Sequence, residues 1–122
     1  MRNTLGSLME RNLLEVFGQR DSARRAVVIA EIYVADCTFY EAEDRIVGCD
    51  ALNAKIGDIR KEAPEFVFRA AGPVQVIQDL GRLPWTFGPA GSPPVVDATD
   101  VAVFEHRKIQ APYIFLDKPA GD

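Results

Sequence analysis

The sequence predicts an α+β domain in which helices pack on one face of a curved, antiparallel sheet. In the first half of the chain, apolar residues recur at spacings of three and four, which is the helical period. The second half holds short runs rich in β-branched and aromatic residues, separated by glycine and proline. Helices and strands that are segregated in this way indicate α+β architecture. The length of 122 residues fits one domain over residues 1–122.

Three helices are predicted. The first runs from Leu5 to Phe17 and ends at Gly18. The second is capped by Asp21 or Ser22 and extends into the segment 32–36. The third is capped by Asp50 and stops at Pro64, because proline cannot continue a helix. Apolar stripes like these are typical of helices that cover a core.

Six strands are predicted, with tight connections between them. They are Cys37–Glu41, Phe66–Ala70, Val74–Gln78, Leu83–Phe87, Val95–Glu105 and Lys108–Asp117. Residues 43–45 read as a polar turn, residues 88–94 as a loop, and His106-Arg107 as the turn between the last two strands. Pro84 indicates an edge position or a bulge, and the tail after Asp117 is expected to be frayed.

One strand carries a chemical anomaly. Because side chains alternate along a strand, Ala98, Asp100, Ala102 and Phe104 share one face of the strand at 95–105. If this face is the inner one, Asp100 is desolvated and its pKa rises, which makes it a candidate acid or hydrogen-bond donor. The alternative is that the face is solvated and Asp100 is an ordinary surface acid.

Charge and cysteine content exclude several classes of partner. The formal net charge is −4 and the pI is about 5.0, which argues against nucleic acid as the main partner. No apolar run approaches the length of a membrane span. The single histidine, His106, excludes a multi-histidine metal site, and Cys37 and Cys49 lack the count and spacing of a zinc site. One disulfide is possible, but no signal peptide is evident, so reduced thiols and a cytoplasmic location are expected.

Several segments together resemble a known superfamily. They are residues 32–36 at the end of helix two, Thr38-Phe39-Tyr40-Glu41, Gly48 before helix three, and the strands at 99–104 and 108–117. Their order resembles the nuclear transport factor 2-like superfamily, and within it the SnoaL-like polyketide cyclases and the ketosteroid isomerases. The resemblance implies a cone-shaped fold in which a bent sheet and three helices enclose one apolar pocket. It also implies frequent dimers.

The resemblance assigns roles to individual residues. Glu41 matches the general-base position of the ketosteroid isomerases, and Asp100 matches their protonated hydrogen-bonding aspartate. Their oxyanion tyrosine lies on the first helix, where this chain has none, so Tyr33 is a candidate replacement. The limonene-epoxide-hydrolase-like members need an aspartate where this chain has Ile114, so their chemistry is not expected.

The sequence therefore predicts an isomerase or cyclase that uses carboxylate acid–base chemistry on an apolar carbonyl compound, without a metal or organic cofactor. Candidate catalytic residues are Asp100, Glu41 and Tyr33, and candidate substrate-binding residues are Phe39, Trp85, Phe17, Ala102 and Tyr113. Two alternatives stay open for the side chains: Glu41 begins a polar turn with Glu43 and Asp44, and the aromatic residues are core or rim. The alternative function is a non-catalytic module that binds a small ligand or dimerises. A homodimer is expected.

Overall fold

A computed structural model describes residues 4–117 and contains the three predicted helices. The first begins as an α-helix, α1 (Leu5–Arg11), and continues as a π-helix, Asn12–Phe17. The second is α2 (Ser22–Ile32), capped by the Asp21 carboxylate, and the third is α3 (Cys49–Glu62). The predicted Asp50 cap is wrong, because α3 begins at Cys49 and its N-cap is Gly48, whose φ of +94° suits glycine.

Within residues 4–117, seven strands form one curved sheet that does not close on itself. They are β1 (Thr38–Tyr40), β2 (Arg45–Val47), β3 (Phe66–Ala70), β4 (Gln75–Ile77), β5 (Leu80–Pro89), β6 (Val96–Glu105) and β7 (Lys108–Leu116). Their order is β2-β1-β7-β6-β5-β3, and β4 also pairs with β5. The predicted α+β fold is confirmed, with the difference that β1 pairs with β7 in parallel.

Three local predictions are wrong in whole or in part. The predicted polar turn holds for residues 43–44, where the Glu41 N–H donates to the Asp44 carbonyl, but Arg45 already belongs to β2, which pairs with β1. Helix two ends at Ile32, since Tyr33 leaves the helix and bridges to Ile109 of β7. Pro84 was expected at an edge or a bulge, but it lies within the central strand β5. It is tolerated there because it falls between the stretch of β5 that pairs with β3 and the stretch that pairs with β4, so no ladder hydrogen bond requires a Pro84 N–H. There the Ala71 N–H donates to the Pro84 carbonyl at 2.8 Å.

The predicted inner face of the longest hairpin is confirmed. Ala98, Asp100, Ala102 and Phe104 of β6 are all buried beneath the helices. The helices contribute Leu8, Leu13, Ile29, Ile32, Leu52 and Ile56 to the same core. On the opposite face of the sheet, Tyr113 and Phe115 of β7 are exposed.

The turn at His106-Arg107 is also confirmed, because Glu105 pairs directly with Lys108. Both turn residues have positive φ, 52° and 61°, the geometry that a two-residue hairpin loop needs. The predicted fraying after Asp117 lies outside the described residues. Among residues 4–117, no helix combines the length and the apolar character needed to cross a membrane.

Candidate functional site

Asp100 lies at the centre of β6 with Leu83 of β5 and Ile114 of β7 directly opposite it. Only 3% of the residue is exposed. Burial raises its pKa to about 7, and the hydrogen bond from Trp85 acts in the opposite direction. The possibility that Asp100 is a solvated surface acid is therefore wrong.

The hydrogen bond from the Trp85 indole determines which oxygen of the Asp100 carboxyl accepts and which one carries the proton. Its Nε1–H donates to Oδ1 of Asp100 at 2.7 Å. Trp85 stands opposite Ala98, whose small side chain leaves the indole room to reach diagonally across the sheet. An indole only donates, so Oδ1 is the accepting oxygen and the proton of the neutral carboxyl belongs on Oδ2. The neutral form of Asp100 is thus a hydrogen-bond donor.

An aromatic cluster, Phe17, Phe39, Phe68 and Trp85, surrounds this part of the core. The ring of Phe17 lies 6.0 Å from that of Phe39 and 5.9 Å from that of Phe68, and Phe68 lies 5.3 Å from Trp85. Each residue comes from a different element. The structure therefore brings together three predicted substrate-binding residues that are far apart in the sequence, and Ala102 lies on the same inner face of β6 as Asp100.

Tyr33 lies in the same buried region but is already hydrogen-bonded. Its phenol donates to Oδ1 of Asn12 at 2.6 Å, and both residues are buried. Burial, and after it the charge of Asp100, raises the pKa of Tyr33 well above its ordinary value, so the phenol stays neutral. Asn12 was missed by sequence reasoning, although a polar residue four positions after Leu8 and four before Val16 interrupts the apolar stripe of the first helix.

Glu41 directly follows β1 and is half-buried. Its Oε1 lies 2.6 Å from Nζ of Lys55 on α3, which also lies 3.6 Å from Asp44. These partners raise the pKa of Lys55, with the Glu41 hydrogen bond as the main cause. Within residues 4–117, no hydrogen bond or ion pair joins Glu41 to Asp100. Sequence reasoning missed Lys55, because nothing local shows that α3 approaches this loop.

A rim cleft of about 670 Å³ is lined by Tyr40–Asp44 and Tyr113–Leu116. Glu41 lies in this lining, and so does Ile114, the cross-strand partner of Asp100. The lining of the cleft therefore includes the cross-strand neighbour of the buried carboxyl. Tyr113 was predicted in one pocket with the other four substrate-binding candidates, but it lies apart from them. Its ring stacks on Tyr40 at 4.5 Å, on the outer side of the sheet.

Comparisons with known proteins agree on the fold. No family model matches the sequence, and no curated protein matches it. A candidate isomerase of the SnoaL-like family from Agrobacterium tumefaciens superimposes with a TM-score of 0.85, covering 92% of this chain and 96% of its own at 19% identity. An NTF2-like protein of unknown function from Cytophaga hutchinsonii gives 0.71, covering 96% and 93% at 10% identity. The chain has the nuclear transport factor 2-like fold.

A third neighbour with this fold is a candidate ketosteroid isomerase from Kribbella flavida. Its TM-score is 0.72, and the superposition covers 97% of this chain and 81% of its own at 9% identity. The resemblance seen in the sequence is thus confirmed at the level of the fold. At such identities the nuclear transport factor 2-like fold is what the neighbours share with this chain, and residue roles depend on the geometry above.

No group of three or more His, Cys, Asp or Glu side chains placed to hold a metal ion occurs among residues 4–117. The two cysteines are unbonded, with the Sγ atoms of Cys37 and Cys49 separated by 4.0 Å. The polar groups near the aromatic cluster include the Asp100 carboxyl, the Trp85 indole, the Arg60 guanidinium and the hydrogen-bonded pair of Tyr33 and Asn12.

Proposed function

We propose that this protein is a small-molecule enzyme of the isomerase or cyclase type that enolises an apolar carbonyl compound. The observation that carries the proposal is Asp100, a buried carboxyl whose pKa is about 7 and whose Oδ1 accepts the Trp85 N–H, which leaves the acid proton to Oδ2. A neutral acid in a dry environment stabilises the negative charge that develops on a carbonyl oxygen during enolisation. The fold shared with candidate isomerases supports the same class of reaction.

The reaction needs a base as well as a hydrogen-bond donor. Glu41 takes the proton from the carbon beside the carbonyl, the C–H electron pair forms the enolate double bond, and charge moves to the oxygen. Asp100 donates its Oδ2 proton as a hydrogen bond to that oxygen. Glu41 then returns the proton to another carbon, which completes an isomerisation. Alternatively, the enolate carbon attacks a second carbonyl, which closes a ring, and the proton held by Glu41 passes to the alkoxide oxygen formed from that carbonyl. The Lys55 ammonium, 2.6 Å from Oε1 of Glu41, holds the carboxylate in place.

The proposed substrate enters through the rim cleft. Tyr113 lines its entrance, and Ile114 is the side chain that the substrate must pass to reach Asp100. Beyond it, Phe17, Phe39, Trp85 and Ala102 offer an apolar surface for a ring system. Tyr33 acts as a positioning residue whose phenol holds Asn12, and it adds no free donor.

Exchange of the α-hydrogen for deuterium, followed by NMR across a panel of cyclic ketones in D₂O, tests enolisation before the true substrate is known. We expect Asp100→Asn and Glu41→Gln each to slow exchange by about 10²-fold or more. Glu43→Gln is the matched control, because Glu43 lines the same cleft and has no assigned role. The rate should also fall as pH rises through about 7, when Asp100 loses its proton.

A second candidate function is a non-catalytic ligand-binding module. This second candidate is favoured by the burial of Asp100. Trp85 is hydrogen-bonded to Asp100, Ile114 is its cross-strand neighbour, and Asp100 is not in the lining of the rim cleft. Ile114→Ala separates the two candidates. If the protein is an enzyme, opening this wall maintains or raises exchange. Tight ketone binding with no exchange in either protein would favour the binding module.

The expected homodimer and the cytoplasmic location belong to this proposal. The outer face of β7 exposes Phe115 and Tyr113, and a second copy would remove these rings from water. Sedimentation equilibrium of the wild type and of Phe115→Glu measures the oligomeric state. A monomer at micromolar concentration would contradict the dimer and leave the catalytic proposal unaffected.

A further inference from the structure

A second cleft, of about 820 Å³, lies between α2 and α3 on the helical side of the molecule. We call it the arginine cleft, because Arg20, Arg25 and Arg60 line it together with Lys61. Its remaining charged residues are Asp21, Asp50 and Asp58, all of them exposed. Asp21 is committed to capping α2 through the Arg24 N–H.

Of the three arginines, Arg60 has the fewest hydrogen-bond partners. It continues the inward stripe of α3 that begins with Leu52 and Ile56, and only 5% of it is exposed. Its Nη2 donates to the Phe66 carbonyl at 2.7 Å, and its Cζ lies 5.6 Å from the ring centre of Phe68. Nε and Nη1 are buried and have no hydrogen-bond partner in the described part of the chain. A guanidinium stays charged, so Arg60 is a buried cation with two unused donors.

Arg25, also buried, is held by neutral acceptors. Its Nε donates to Oδ1 of Asn53 at 2.6 Å, and its Nη1 donates to the Gln19 carbonyl. Its Nη2 lies 3.3 Å from the position that a Cβ would take at Gly57, so the missing side chain leaves it room. Amide and carbonyl oxygens fix the guanidinium but do not cancel its charge.

Arg20 is fixed in the same way at the edge of the cleft. Its guanidinium donates to the carbonyls of Pro64 and Phe66. Within residues 4–117, none of the three arginines lies within 4.0 Å of a carboxylate oxygen. The pKa of Arg60 is lowered first by burial and then by the charges of Arg20 and Arg25, so the three cations repel one another. The charge of Asp21 acts on Arg25, so the acids of the lining offset the positive charge at the buried side of the cleft only in part.

We propose that the arginine cleft binds the oxyanion group of a small ligand, a phosphate or a carboxylate, with Arg60 as the principal contact and Arg25 beside it. The planar fork of a guanidinium matches two oxygens of either group. An oxyanion would offset the repulsion among the three cations, and a movement of the Arg60 side chain toward the cleft would bring its two buried, unpartnered nitrogens onto the anion. This site is separate from Asp100 and goes beyond the proposed enolisation.

Titration calorimetry with inorganic phosphate and with succinate, at ionic strength held constant with KCl, tests the site. We expect the wild type to bind at least one of the two anions and Arg60→Met to bind it at least tenfold more weakly. Arg60→Lys keeps the charge but loses the fork, so it should also weaken binding. Arg24→Gln is the control, because Arg24 is exposed on α2 next to Arg25 and does not line the cleft.

The wild-type protein supplies a second readout that does not depend on a variant folding. The Nε–H NMR signal of Arg60 should shift and saturate as phosphate or succinate is added. Equal shifts with chloride would mean simple screening of the arginine charges and would overturn the proposal. The same conclusion follows if neither anion binds, or if Arg60→Met binds as tightly as the wild type.

Discussion

Asp100 and Arg60 are both buried ionisable side chains, and the protein accommodates them in opposite ways. Both adjoin the aromatic cluster, since Trp85 binds Asp100 and the ring of Phe68 lies beside both Trp85 and Arg60. A carboxyl can avoid the cost of burying a charge by keeping its proton. Asp100, with a pKa of about 7, does so at any pH below that value. A guanidinium cannot release its proton in this range, so Arg60 stays charged. The comparison separates a site that responds to pH from one that is permanently cationic.

The largest expected effect is on the pH dependence of stability. Asp100 has a pKa of about 7 in the folded protein against an ordinary 3.8, so the folded state binds the proton more tightly. Its stabilising contribution is complete below pH 4 and is lost as pH rises to about 7, on the order of 4 kcal/mol. Urea unfolding of the wild type should show this decline, and Asp100→Asn should remove it.

The matched control for this measurement is Asp97→Asn, an exposed acid three positions earlier on β6. It should keep the decline of the wild type. If Asp100→Asn and the wild type lose stability in parallel between pH 4 and 8, Asp100 is not the buried neutral acid described above.

A smaller effect is expected at Arg60. Replacing a buried charge with an apolar side chain of similar length should raise the free energy of unfolding in Arg60→Met by about 1–2 kcal/mol in anion-free buffer. The Phe66 carbonyl keeps a donor, because Arg20 also binds it. Unlike the Asp100 effect, this gain should be the same at pH 5 and pH 8.

Arg60→Ala serves as the comparison for that variant. It removes the charge but also the packing beneath α3, so it should be less stable than Arg60→Met. Thermal melts of the two variants side by side measure the difference. A destabilised Arg60→Met would mean that the contacts of Arg60 with Phe68 and Phe87 outweigh the cost of its burial.

The smallest effect concerns a buried pair with no charge at all. Tyr33→Phe leaves Oδ1 of Asn12 without its donor and should cost about 1–2 kcal/mol, independent of pH. Tyr113→Phe, on the exposed side of the sheet, should change stability little. Combining Tyr33→Phe with Asn12→Leu should recover most of the loss in denaturant unfolding, since both polar partners are then absent. Strictly additive losses would contradict the pairing.

Sequence patterns predicted the parts of the site that depend on local periodicity. Alternation along β6 identified the face of Asp100, and the spacing of apolar residues identified the helices. The strand β2 was missed because it has only three residues and begins with Arg45. A resemblance was needed to connect Glu41 with Asp100, because Glu41 follows β1 and β7 lies between β1 and the strand of Asp100, β6.

Other parts of the site depend on which helices and strands contact each other in the fold, and no local sequence pattern predicts those contacts. The contact of Lys55 with Glu41 requires α3 to pass the end of β1, and the pairing of Asn12 with Tyr33 requires α2 to end beside the first helix. Arg60 had a readable signal, because it follows Leu52 and Ile56 at helical spacing on the buried stripe. A charged residue on such a stripe predicts an unusual environment, although the cleft it lines becomes visible only when α2 and α3 are placed together.

The parallel pairing of β1 with β7 has a consequence for the order of assembly. The ribosome releases β1 before any other strand, yet apart from β2 its neighbour in the sheet is β7, the last strand of the described chain. Ile114, which is paired with Asp100 and lines the rim cleft, is also in β7. During synthesis Asp100 therefore emerges into water with the acidity of an ordinary aspartate. Its pKa rises when the surrounding elements bury it, and β7, which pairs with β6 at Asp100, is the last of these strands to be synthesised.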